Sequence, residues 1–264
     1  MYDFNYHRPK DVKEAVKLLK GADDGVAMSG GMTLIPTMKQ RLAAPSDVVD
    51  VAGVTGSGIK AQAKKIVIKA GTTHAEVAAH AGIQKHCPSL AALAGGIGDP
   101  HVRNKGTIGG SIANNDPAAD YPAACLALNA KITTNRRSID ADKFFKGLFE
   151  TALKDNEIIT EIEFAVPKRG AYAKFPNPAS RYAMVGAYVA DHGRGGVRVA
   201  VSGAADCAHR SKAMEKALDG DFSAAALDSV SVSPEGMNED IHASAEYRAH
   251  LVTVMAKRAV TAAG

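Results

Sequence analysis

The 264-residue sequence exceeds the usual size of one domain, and a prior of roughly 150 residues per domain points to two units or one subdivided unit. Its 46% hydrophobic and 23% charged content excludes a disordered or fibrous chain, and no run approaches the roughly 18 to 20 apolar residues of a membrane span. The net charge of +4 is scattered along a chain without Trp, so neither the basic stripe nor the stacking platform of a nucleic-acid binder is present.

The start, Met1-Tyr2-Asp3-Phe4-Asn5-Tyr6, lacks the basic and apolar regions of a signal peptide, so the expected location is cytoplasmic. Asp11-Val12-Lys13-Glu14 has capping-box spacing and opens a helix whose apolar face is Val12, Ala15, Val16 and Leu19. Strand-like Val26-Ala27-Met28 follows, then the turn Ser29-Gly30-Gly31 and a helix beginning between Thr33 and Pro36. Val48-Val49-Asp50-Val51 is a further strand, and Gly53, Gly56 and Gly58 loosen the chain into a subdomain boundary near residue 55.

A second strand–turn–helix unit runs from Ile66-Val67-Ile68 through Gly71-Thr72-Thr73-His74-Ala75-Glu76, which supplies a helix cap. Residues 94–115 hold Gly95, Gly96, Gly98, Gly106, Gly109 and Gly110, and such density is read as a loop in which a ligand approaches the backbone closely. Residues 120–128 are expected to be helical, 131–134 and 158–165 to be strands, and Pro167-Lys168-Arg169-Gly170 to be a turn. Pro176-Asn177-Pro178 is the expected linker to a C-terminal unit with strands at 182–190 and 196–202 and helices at 211–218 and 244–260.

Two constellations carry chemistry. In Ser29-Gly30-Gly31-Met32-Thr33, glycines remove the Cβ atoms that keep backbone N–H groups from a pyrophosphate, and two hydroxyls add donors. Thr107-Ile108-Gly109-Gly110-Ser111 repeats the pattern, with Asp120 placed to accept hydrogen bonds from a ribose or hydroxylated chain. The first alone reads equally as a tight turn; the second could be a structural loop capped by Asn and Asp, but its wealth of Gly, Asn and hydroxyl favours a ligand, and two cradles together suit a dinucleotide. Neither is the G-x-G-x-x-G fingerprint of the doubly wound fold or a Walker loop. The nine histidines include no i, i+4 pair of the zinc-protease kind at His74, His80 or His86, and no metal site is expected.

These segments, Ser29-Gly30-Gly31-Met32-Thr33-Leu34-Ile35-Pro36 and Thr107-Ile108-Gly109-Gly110-Ser111 with Asp116-Pro117 and Asp120, resemble the flavin-binding motifs of the FAD subunit of molybdenum hydroxylases. The likeness is greatest to the medium subunit of aerobic carbon monoxide dehydrogenase, and the chain is also similar to the FAD domain of xanthine dehydrogenase. It extends from Phe4-Asn5-Tyr6-His7-Arg8-Pro9 through Asp99-Pro100-His101-Val102-Arg103-Asn104 to Ala245-Glu246-Tyr247-Arg248. The carbon monoxide dehydrogenase pattern tends to Ala-Gly-Gly-His-Ser where this chain has Ser29-Gly30-Gly31-Met32-Thr33, which weakens any statement about substrate.

The resemblance implies an α+β fold: a bilobal FAD-binding domain of the vanillyl-alcohol oxidase and p-cresol methylhydroxylase (PCMH) type, residues 1–55 and 56–175, followed by a small α+β C-terminal domain, residues 179–264. It implies FAD contacts from Ala27, Met28, Ser29, Gly30, Gly31, Met32, Thr33 and Leu34, and from Thr107, Ile108, Gly109, Gly110 and Ser111. Ile97, Asp120, Ile159, Lys174 and Tyr182 match further contact positions. By the residues alone, Ile159 reads equally as strand core, Lys174 as a solvated charge and Tyr182 as a core aromatic.

The implied function is electron transfer through FAD to an external acceptor, within a two-fold duplicated complex with a small 2Fe-2S subunit and a large molybdopterin subunit. Cys87, Cys125 and Cys207 are too few for even one four-thiolate cluster, so a partner chain is expected to carry the clusters. The alternatives are a self-contained flavoenzyme resembling UDP-N-acetylenolpyruvoylglucosamine reductase, and a nucleotide-binding module without turnover.

Overall fold

The computed structural model describes all 264 residues. The chain runs β1 (Asn5–His7), α1 (Val12–Gly21), β2 (Gly25–Met28), α2 (Leu34–Lys39), β3 (Asp47–Asp50) and α3 (Ala52–Thr55), the strands forming a parallel sheet in the order β1-β3-β2. Asp11 caps α1 by accepting from the Glu14 N–H at 2.8 Å, but the Glu14 carboxylate reaches back to the Lys10 N–H rather than that of Asp11. Ala15 and Leu19 of α1 then bury against Val49 and Val51, with Val12 and Val16 at the margin.

A second sheet is antiparallel. Its strands are β4 (Ile59–Ala61), β5 (Lys65–Lys69), β6 (Lys131–Thr134), β7 (Ser138–Asp140) and, after the small hairpin β8 (Phe145–Gly147) and β9 (Glu150–Thr151), β10 (Ile159–Ala165), in the order β4-β5-β10-β6-β7. Between β5 and β6 the chain makes six helices: α4 (His74–Ala79), α5 (Ala81–His86), α6 (Pro88–Gly95), α7 (Pro100–Lys105), α8 (Ile108–Asn114) and α9 (Tyr121–Ala127). Ile66, Ile68, Ile162 and Phe164 of the sheet share one core with Leu90, Leu93, Ile108, Ile112 and Tyr121 of these helices.

The glycine-rich stretch is therefore mostly helical. Thr107 caps α8 by accepting from the Gly110 N–H, so Gly109 and Gly110 lie in a helical first turn and Ser111 is not in a loop. Asp99 caps α7 by accepting from Val102, with Pro100 just inside, where proline's lost N–H costs nothing.

The third sheet is β11 (Arg169–Pro176), β12 (Ala183–Asp191), β13 (Val197–Ser202) and β14 (His209–Arg210), antiparallel in sequence order. Helices α10 (Lys212–Gly220) and α11 (Ala245–Ala262) cover one face. Alternation along β12 decides what each residue meets: Val185, Ala187 and Val189 pack toward α10 and α11, while Tyr188 and Ala190 join the core of the second sheet. Two sequence expectations shift here. Arg169 and Gly170 belong to β11 rather than a turn, and Pro176-Asn177-Pro178 is no inter-unit linker: it begins the turn of the β11–β12 hairpin, with Asn177 closing the loop by donating its N–H to the Tyr182 carbonyl.

A candidate flavin-nucleotide cleft

Backbone N–H groups left unpaired at a partly exposed turn that leads into a helix are open to a ligand's acceptors as well as to water. After β2 the chain turns at residues 29–34, and none of these backbone N–H groups donates to an acceptor within the protein. The turn depends on two glycines for different reasons. Gly31 has φ +70°, a left-handed conformation, whereas a Cβ on Gly30 would sit 1.9 Å from the Lys105 carbonyl oxygen. Gly30 thus lets the first sheet's turn lie directly on the chain entering α8.

Two hydrogen bonds complete the contact. The Thr107 hydroxyl donates to the Ser29 hydroxyl at 2.9 Å, and the His74 backbone N–H donates to the Gly106 carbonyl at 3.0 Å. The second Gly-Gly pair differs from the first: Ile108 donates its N–H to Thr72, Gly109 to Ala70, Gly110 to the Thr107 hydroxyl and Ser111 to the Thr107 carbonyl. Its amides are already used. Gly109 is required by packing, since a Cβ there would come within 2.5 Å of the Ala70 Cβ, while Gly110 would meet only the Thr107 hydroxyl, at 3.0 Å.

Between these segments lies a cavity of about 520 Å³, within the range of small-molecule sites. It is lined by Ala27, Met28, Ser29, Gly30, Gly31, Met32, Thr33 and Leu34 on one side and Thr107, Gly109, Gly110 and Ser111 on the other, with Ile97, Asp120, Ile159 and Tyr182 completing it. Ile108 does not line it; its side chain is fully buried in the core of the second sheet. Lys174 does not line it either, but donates to the Gly96 carbonyl at 2.8 Å and pairs with the lining carboxylate of Asp120 at 3.1 Å.

Asp120 is buried, and both its oxygens are engaged, one by Lys174 and the other by the Tyr172 hydroxyl. Burial pushes its pKa up, opposed by the Lys174 charge and the two hydrogen bonds. Inside the protein it anchors β11 beneath the cleft, and each oxygen keeps a second lone pair as an acceptor. Lys174 is no solvated charge, and Tyr182 is no core aromatic: it stands 48% exposed at the cavity edge.

His74, Leu153 and Glu157 also line the cavity although the sequence offered no ligand role for them, as do Asp99, Val102 and Asp116, which were named only within segments of the resemblance. His74 is buried against Tyr121, ring centroids 5.4 Å apart, and its Nδ1 has no partner. Burial first and Arg103 second lower its pKa to about 4, so it is a neutral imidazole at neutral pH. Glu157 is held at about 2, chiefly by the Arg137 guanidinium at 3.0 Å, with Thr134 adding a bond at 2.7 Å; the pair stiffens the segment leading to Ile158 and Ile159. The capping box at Thr73 and Glu76 was the available signal for His74, since it places the next residue at the start of a buried helix.

A row of free amides, hydroxyls from Ser29 and Ser111, and a long apolar remainder make this cavity a candidate nucleotide cleft, with donors that suit a pyrophosphate and walls that suit flat rings. Residues 2–168 match the family described as the FAD binding domain in molybdopterin dehydrogenase, and this chain belongs to that family of FAD-binding oxidoreductase subunits. It is 34% identical to the carbon monoxide dehydrogenase medium chain of Hydrogenophaga pseudoflava, over 98% of this chain and 96% of the relative. It is 33% identical to the nicotine 6-hydroxylase medium subunit of Paenarthrobacter nicotinovorans over the same shares. The structure of reconstituted CO dehydrogenase from Oligotropha carboxidovorans superposes with a TM-score of 0.92 at 31% identity, covering 99% of this chain and 97% of that one. The α+β expectation and the FAD-binding fold agree with these likenesses. No helix is long and apolar enough to cross a membrane.

Proposed function

We propose that FAD lies in this cleft and that the chain is the electron-transferring flavoprotein subunit of a molybdenum hydroxylase. The observation that carries the reading is the row of unpaired N–H groups at residues 29–34 facing the Thr107 and Ser111 hydroxyls across one cavity. The chemistry that FAD supplies when bound is electron transfer, from iron–sulfur clusters on a partner subunit to an external acceptor.

The chain's own residues bind and orient. The free amides neutralise pyrophosphate charge without a lysine, and Ser29 and Ser111 fix its direction with hydroxyl donors, Thr107 orienting Ser29 by donating to it. Ile97, Ile158 and Ile159 exclude water from the ring-binding parts of the cleft. Asp120 and Lys174, paired beneath it, add a fixed dipole with no net charge. Tyr182 at the edge is the aromatic that packs near the isoalloxazine. In the same reading, residues 1–55 and 56–175 form the FAD-binding unit and residues 179–264 the C-terminal unit, with β11 pairing into the C-terminal sheet.

Two of the three cysteines, Cys87 and Cys125, are buried packing residues, and burial pushes the Cys125 thiol above its ordinary pKa. Clusters therefore belong to a small 2Fe-2S subunit and the substrate site to a large molybdopterin subunit, the three duplicated by two-fold symmetry. The test is turnover by the isolated chain. Loaded with FAD and shown free of other polypeptides and molybdenum, it should reduce no dye with carbon monoxide, xanthine or aldehydes. Turnover of any of these would replace the subunit reading with a self-contained flavoenzyme.

A further inference from the structure

Far from the cradle, α11 carries a guanidinium in an apolar setting, where an unpaired charge is too costly to persist. Arg248 is 4% exposed. Its Nη1 donates to the Met184 carbonyl at 2.7 Å and to the Gly203 carbonyl at 3.1 Å, and its Nη2 donates to the Asp240 carboxylate at 2.6 Å. Both carbonyls sit where the third sheet has lost its ladder. Register slips at the end of β11, where Phe175 pairs with Val185 but Pro176 with Ala183, and leaves Met184 without a partner residue on that strand. Pairing of β12 with β13 starts only at Gly186 and Ser202, so Gly203 also lies beyond the ladder.

Gly203 is what connects this knot to the cleft. It has φ +81°, and a Cβ there would fall 2.3 Å from the Ala183 carbonyl, so no other residue fits. Its N–H donates to the Pro117 carbonyl at 2.7 Å. Pro117 lies within the loop that brings Asp116, Ala119 and Asp120 to the cavity, and Met184 is two residues past Tyr182 at the cavity edge.

We propose that Arg248 is a positioning residue for the flavin cleft, holding the 116–120 loop and Tyr182 in place through Gly203 and Met184. The inference rests on the reading that FAD occupies this cleft. A guanidinium suits the task because its planar fork meets two carbonyls and a carboxylate at once, whereas a lysine ammonium on a flexible stem has no such fixed geometry. Asp240 keeps the charge compensated at the surface end, being half-exposed.

The experiment is FAD titration of the full-length apoprotein by flavin fluorescence, with visible circular dichroism of the bound flavin, for Arg248→Lys, Asp240→Asn and Leu251→Ala. Leu251 is about one helical turn on and buried in the core between α11 and the third sheet, so its truncation lowers stability while leaving the hydrogen bonds to Met184 and Gly203 in place. Arg248→Lys should raise the FAD dissociation constant about tenfold and alter the flavin dichroism, because a loosened supporting shell leaves a site present but imprecise. Asp240→Asn should shift both in the same direction by less, and it decides the matter should Arg248→Lys not fold. Leu251→Ala, with its melting temperature lowered, should leave the dissociation constant within roughly twofold, because it removes apolar packing but none of the hydrogen bonds that Arg248 makes to Met184 and Gly203. Wild-type affinity and dichroism in the Arg248 and Asp240 variants, or an equal loss in Leu251→Ala, would overturn the proposal. A Gly110→Val control separates this from the cleft itself: if that variant keeps full affinity, the cleft reading has failed, and if it alone loses affinity, only Arg248's role has.

Discussion

The Thr107 hydroxyl donates to the Ser29 hydroxyl at 2.9 Å, joining the turn after the first sheet to the cap of α8 beside the second. One threonine thus does two things, since its oxygen also accepts from Gly110 and starts the helix. Thr107→Val, of equal shape, removes both bonds. Loss of a cap costs about 1 kcal/mol, and in a chain of this size that lowers the melting temperature by roughly 2 to 4 °C. FAD affinity should fall together with stability, whereas Thr107→Ser should restore both; scanning calorimetry and fluorescence titration read the two effects.

The glycines separate by cause. Gly30→Ala puts a methyl 1.9 Å from the Lys105 carbonyl and must part the two segments even without ligand, so the apoprotein should lose stability. Gly110→Ala asks only a few tenths of an ångström from the Thr107 hydroxyl and replaces a helical glycine, which favours the helix by about 0.5 to 1 kcal/mol. The apoprotein should melt no earlier than wild type, and only FAD binding should weaken. An earlier apoprotein melt for Gly110→Ala would place that methyl against protein rather than ligand space.

Lys174→Met leaves the Asp120 carboxyl buried without its cation. Breaking a buried pair in this way costs about 3 to 5 kcal/mol, measured by urea unfolding. Adding Asp120→Asn to Lys174→Met should recover a large part of that loss, because the uncompensated charge is gone.

His74 links stability to pH. Its pKa falls from 6.5 when exposed to about 4 in the fold, so the native state favours the neutral ring. The resulting stability is present in full above pH 6.5 and is lost as pH falls toward 4, about 3 kcal/mol in total at about 1.4 kcal/mol per unit. His74→Leu should flatten that part of the urea-midpoint profile relative to wild type. Glu157, lowered to about 2, acts at more acidic pH: its stabilisation holds above about 4.5 and disappears as pH falls toward 2.

Much of this fold was legible because local rules and tertiary packing agree. Thr73 and Glu76 form the complete capping box their spacing implies, and the nearly unbroken apolar run in 182–190 marks a strand buried on both faces. Helix α8 was hidden because Gly109 and Gly110 oppose helix propensity; they are tolerated in its first turn, where Thr107 caps and Ala70 packs too closely for a Cβ. Arg248 stood in a segment of the resemblance, but its role was not legible, since two of its three partners are backbone carbonyls, which any residue presents. The same holds for the asymmetry of the two Gly-Gly pairs: identical dipeptides, but free amides at one and committed amides at the other.

The central claim, one FAD held without a covalent bond between residues 29–34 and 107–111, is tested most directly by the flavin content of the purified chain before and after acid denaturation. The account predicts one FAD per chain, absorbing at about 450 nm, released entirely into the supernatant, and absent from Gly110→Val, whose β-branched side chain fills the space the ligand needs. Flavin that remains with the denatured polypeptide, or a normal FAD content in Gly110→Val, would contradict it.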